Sequence, residues 1–97
     1  MKDKNVSMTD FKEFVLSQPD DRMIDLSYSS PEDMGCPLVH YTRNKFKRKV
    51  YGVGLFTANT DREYIFFDNN VQLFMQALLT HGASNYKKAK ALIQKSF

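Results

Sequence analysis

A chain of 97 residues holds one domain and excludes two independent cores. Its 42% apolar content, with 8 Phe and 5 Tyr, excludes a disordered polymer, and its single cysteine, Cys36, excludes an intramolecular disulfide. The net charge of +3 is unevenly divided: residues 1–42 carry 4 Lys/Arg against 8 Asp/Glu, and residues 43–97 carry 10 against 3. Such a separation suggests oriented attraction to a charged partner.

Residues 1–7 are polar and read as a loose lead-in. Ser7 or Thr9 is placed to cap a helix over about residues 9–18, with Phe11, Phe14 and Val15 on one face, and Pro19 ends it. After the turn signal Asp20-Asp21, the alternation of Ile24, Leu26 and Tyr28 predicts a half-buried strand, followed by a polar loop over 29–35. Residues 36–43 read as a second strand with Pro37 at its start. Residues 46–57 form the longest strand candidate, in which Gly52 and Gly54 point to a bulge or a close backbone approach. Residues 58–61 make the next turn, and 62–67 form a fourth strand. Its two apolar faces predict a central position covered on both sides.

Asp68, Asn69 or Asn70 caps a further helix whose inner stripe is Val71, Phe74, Ala77 and Leu78, and Gly82 stops it. Ser84 begins a last helix with Tyr86, Ala89, Ile93 and Phe97 on one side. The expected fold is therefore a single α+β domain over 1–97 in the order α-β-β-β-β-α-α. A mainly antiparallel four-stranded sheet packs against one N-terminal and two C-terminal helices. With no apolar leader or membrane-length run, a cytoplasmic location is expected, with no membrane partner.

Catalytic constellations are thin. Cys36 and His40, four apart on the predicted strand, would share a face as a thiolate–imidazole pair or half a metal site. His81 is the only other histidine, and no CxxC or HxxxH spacing completes a ligand set. A buried thiol beside a hydrogen-bonded histidine is the better reading, so neither catalysis nor a metal or cofactor is expected.

Binding has two candidate surfaces. The acids Asp20, Asp21, Asp25, Glu32 and Asp33 fall within fourteen positions, an acidic face able to enter a basic nucleic-acid groove on a protein or ribonucleoprotein. The cations Arg43, Lys45, Lys47, Arg48 and Lys49 fall within seven positions around Phe46. Joined by Lys87 and Lys88 of the last helix, they offer phosphate contacts, with a ring for base stacking. The helix pair around Gly82 fits a helix-turn-helix poorly, because Lys87 and Lys88 occupy positions where an apolar residue should seat the second helix.

The strand Arg62-Glu63-Tyr64-Ile65-Phe66-Phe67-Asp68 leads into the helix Val71-Gln72-Leu73-Phe74. The break His81-Gly82-Ala83-Ser84 and a second helix ending Lys90-Ala91-Leu92-Ile93 follow. In element order and size this resembles small phage-encoded anti-CRISPR proteins, in particular inhibitors of type I surveillance complexes. The opening Phe11-Lys12-Glu13-Phe14-Val15-Leu16-Ser17-Gln18-Pro19-Asp20-Asp21 resembles the start of small phage and prophage proteins. The resemblance implies a non-enzymatic inhibitor, acting in the host cytoplasm, that docks on a CRISPR–Cas surveillance complex and blocks target-DNA binding. Members that imitate DNA are acidic overall, whereas this chain is net basic, so only one face can imitate DNA. The first expectation is thus contact through the acidic face. The alternative is a small nucleic-acid-binding module using residues 43–49 and the last helix.

Overall fold

The computed structural model describes residues 2–26, 35–54 and 56–97. The elements are β1 (Lys2–Val6), α1 (Met8–Ser17), α2 (Pro37–Phe46), β2 (Val50–Val53), β3 (Thr57–Thr60), β4 (Glu63–Phe67), α3 (Asn69–His81) and α4 (Tyr86–Ser96). They confirm a mixed α+β fold with a four-stranded sheet, but the sheet is mixed and, among the described residues, four helices accompany it in the order β-α-α-β-β-β-α-α. Its strand order is β1-β4-β3-β2, with β1 parallel to β4 and the other pairs antiparallel.

Four elements depart from the sequence reading. Residues 2–6 form an edge strand, not a loose lead-in. Four of its five residues are exposed, so no apolar alternation marks it. Its place comes from pairing with β4, extended at both ends by Lys2 N–H to Arg62 O and Asp68 N–H to Val6 O. The predicted strand at 23–28 reduces, within its described residues, to an isolated bridge between Met23 and Asn85; Tyr28 lies outside the described residues.

The predicted strand at 36–43 is helix α2. Pro37 sits in its first turn, where the missing amide donor costs nothing, and all of Pro37–Thr42 is buried. Burial around nearly the whole circumference erases the helical stripe, and the Val, Tyr and Thr content then reads as strand. The long strand at 46–57 divides into β2 and β3 around a tight turn. There Gly54 N–H donates to Thr57 O at 2.9 Å, and a Cβ on Gly54 would lie 2.9 Å from Thr57 Oγ1. The register also shifts between Val50 and Gly52, so the glycines do mark a bulge and a close approach. Thr57–Thr60 is accordingly strand, and the turn falls at Asp61–Arg62.

The C-terminal half follows its sequence closely. Asp68 caps α3, Gly82 ends it in the left-handed region at φ 61°, and Asn85, one residue beyond Ser84, caps α4. The inner stripe of α3 contains Met75 in place of the half-buried Ala77.

Helices α1 and α2 meet one face of the sheet through aromatic rings. Phe11 lies 5.8 Å from both Tyr41 and Phe67 and 5.9 Å from Phe74, centroid to centroid. Tyr41 in turn packs against Phe14 and Phe67. Phe11 thereby joins α1, α2, α3 and β4 in one cluster, while α4 packs on α1 and α3. Replacing Phe11 with alanine should lower unfolding free energy by about 3–5 kcal/mol, a large share of a small domain's stability, measured by urea denaturation. A loss below about 1 kcal/mol would show that the cluster is not the centre of the core.

Candidate functional site

The inward residues of β4 are Glu63, Ile65 and Phe67, all buried; the outward ones are Tyr64 and Phe66, both exposed. The expected central position is therefore right, since β4 lies between β1 and β3, but cover on both sides is not. An aromatic strand with one open face looks, in sequence, like a doubly buried one. Pairing extends the open face into two rows. Tyr64 neighbours Asp3 on β1 and Asn59 on β3, and Asn59 faces Gly52 on β2; Phe66 neighbours Asn5 and Thr57. Tyr51 occupies the bulge beside Gly52 and is 53% exposed, more than either β4 ring. Among the described residues, the result is an open surface on which Tyr51, Tyr64 and Phe66 are interleaved with Asn and Thr side chains.

The basic segment lies against the β2 margin of this surface. Arg43 and Lys45 are in the last turn of α2, and Lys47 follows in a left-handed conformation at φ 56° that swings the chain toward β2. Arg48 Nε stands 3.5 Å from Glu63 Oε1. Glu63 is itself held in the β3–β4 turn: its N–H donates to Thr60 Oγ1 at 2.9 Å, and that hydroxyl donates to Glu63 Oε2 at 2.8 Å. Arg48 thus ties the basic segment to the sheet. Lys49 Nζ lies over the Tyr51 ring at 5.7 Å, so cation and ring share one patch. Phe46, expected as the stacking ring, instead packs partly buried against the core, with its ring 6.4 Å from Tyr41.

The other sequence candidates are placed differently. Lys87 and Lys88 are exposed on α4, in the helix layer, and are not brought onto the sheet face with residues 43–49. Asp20 bonds Lys90 Nζ at 2.8 Å, and the main chain around it follows the start of α4 through Lys87 N–H to Asp20 O. The acidic turn and the basic helix, separate in sequence, meet here. Asp21 and Asp25 are exposed, and Glu32 and Asp33 lie outside the described residues.

Cys36 and His40 do share a face, but on the first turns of α2. Both are buried, and His40 Nδ1 hydrogen-bonds the Tyr86 hydroxyl at 2.9 Å. Burial pushes the Tyr86 phenol well above its ordinary value, so it stays protonated and joins α2 to α4. His81 is exposed at the end of α3. Among the described residues no three His, Cys, Asp or Glu side chains gather into a metal-binding group, and no helix is long and apolar enough to cross a membrane.

No protein-family model matches the chain, and neither a curated protein nor a solved structure is significantly similar to it.

The Lys90 ammonium, by hydrogen bond and charge, holds the Asp20 carboxyl below its ordinary 3.8, with Lys87 adding to the effect. A depressed carboxylate contributes stability above its unfolded value and loses it as pH falls through the folded one. An NMR titration should find Asp20 titrating below 3.8 and moving up toward that value in Lys90→Met, where Lys87 still acts on it. An unchanged titration in the variant would mean that the pair does not form in solution.

Proposed function

We propose that this protein is a non-enzymatic nucleic-acid-binding module whose docking surface is the open face of the sheet. The observation that carries this reading is the placement of Tyr51, Tyr64 and Phe66 on an uncovered sheet beside Lys49 and the basic segment at 43–49. Exposed rings on a sheet stack on unpaired bases, whereas a duplex presents only base edges in its grooves. Tyr64 and Phe66, two residues apart on one strand, stand about 6.6 Å from each other along it, a spacing that suits successive bases of an extended strand. Asn59, Thr57 and Asn5 supply hydrogen bonding between the rings, and the lysines at the β2 margin supply phosphate contacts. The ligand is accordingly single-stranded.

The acidic surface has less to support it among the described residues: Asp20 is engaged by Lys90, and Asp21 and Asp25 are exposed. The sheet face is also compatible with a phage or host setting, because a defence complex that opens duplex DNA exposes single strands.

Fluorescence anisotropy with a labelled single strand of about 12 nucleotides should show binding that weakens steeply with salt. Tyr64→Ala and Phe66→Ala should each weaken it by roughly tenfold, with a urea midpoint lowered only by the loss of a cross-strand contact, about 1 kcal/mol or less, so that both variants stay folded in the assay. The same sequence as a duplex should bind at least tenfold less tightly. Equal binding of duplex and single strand, or indifference to both ring deletions, would contradict this reading.

A further inference from the structure

Strands β1 and β4 run parallel, so their carboxyl ends lie side by side, and each leads directly into a helix. A crevice of about 310 Å³ opens there, lined by Asn5, Val6, Ser7, Phe66, Phe67 and Asp68. That volume falls at the lower end of small-ligand pockets, roughly 300–1,000 Å³. One wall is the exposed ring of Phe66, and beside it in register stands the exposed amide of Asn5. Asp68 adds a carboxylate to the lining: its Oδ2 accepts from Met8 N–H and its Oδ1 from Asn70 N–H, each at 3.4 Å. Both contacts are long, and an ionised carboxylate has about four acceptor positions, so Asp68 can take further donors.

The charge of the lining decides which part of a bound strand enters the crevice. The lining of the crevice carries a carboxylate and no Lys or Arg, so its own charge disfavours phosphate, while exposed cations stand at both edges of the sheet, Lys2 and Lys4 on β1 and Lys49 before β2. What enters the crevice is therefore a base, presented with its donor groups toward the carboxylate. Guanine has two adjacent donors, N1–H and the 2-amino group, on its Watson–Crick edge. Adenine and cytosine place a ring acceptor beside a single amino group, and uracil has one N–H between two carbonyls. Only guanine meets a carboxylate with a matched pair of donors.

We infer that this crevice is a guanine-selective base subsite: the base stacks on Phe66, and Asp68 accepts from its N1–H and 2-amino group. The inference rests on the nucleic-acid reading of the sheet face and deepens it. The probe is an oligouridine strand of about six nucleotides carrying one internal guanosine, inosine or adenosine, measured by anisotropy at fixed salt. The guanosine strand should bind roughly tenfold more tightly than the adenosine strand. Inosine, which keeps N1–H but lacks the 2-amino group, should fall between them. Asp68→Asn, which preserves helix capping, should remove the ranking while leaving binding of plain oligouridine in place. Equal affinity for the three strands in the unaltered protein would overturn the subsite yet leave the sheet-face reading standing. Absence of binding by every strand would overturn both.

Discussion

The contact on which the rest of the structure depends is the packing of Phe11 against Tyr41, Phe67 and Phe74. A domain this small has few large side chains to commit, and here they are committed to one side of the sheet. Phe67 brings β4 to that cluster, Phe11 brings α1, Tyr41 brings α2 and Phe74 brings α3. Because side chains alternate along a strand, fixing Ile65 and Phe67 inward fixes Tyr64 and Phe66 outward. The open aromatic face is thus a direct consequence of where the core lies. A one-residue slip of β4 would bury Tyr64 and Phe66 and expose Ile65 and Phe67, which the aromatic cluster forbids.

The same economy explains the charged residues. Arg48 and Glu63 link the basic segment to the β3–β4 turn, so part of that cluster is structural. Asp20 and Lys90 pair where residues 20–24 lie along the start of α4. Among the described residues, the contrast in charge between the two halves of the sequence is partly joined in the fold, where Asp20 meets Lys90. Those described residues form a mixed region around the start of α4, and the segment at 43–49 lies beside β2.

How much of this was legible in the sequence depended on whether local signals and burial agreed. They agreed from Asp68 onward, where an Asp cap, a clear apolar stripe and Gly82 at positive φ all specify the same helix. They disagreed at 37–46, where burial on nearly all sides removed the periodicity and β-branched and aromatic residues suggested a strand. At 2–6 there was no local signal, because a polar edge strand is defined by its partner. For the site, the lysine cluster was plain in composition, but the rings were concealed. Tyr64 and Phe66 are apolar enough to read as core, and only the position of the helices shows that their face is bare. Cys36 and His40 were correctly read as a buried pair on one face, although the element that carries them is a helix.

The central claim is that the uncovered face of the sheet is the binding surface. The most direct measurement is a two-dimensional NMR titration of the folded protein with a short single-stranded oligonucleotide, following backbone amides and aromatic ring resonances together. The account predicts that the largest shifts fall on Tyr51, Asn59, Tyr64 and Phe66, with Lys49 and Asn5 at the border of the affected region. It predicts little change at Asp20, Asp21, Asp25 or along α4. Shifts concentrated on those acids or on Lys87 and Lys88, with the sheet rings unmoved, would contradict it.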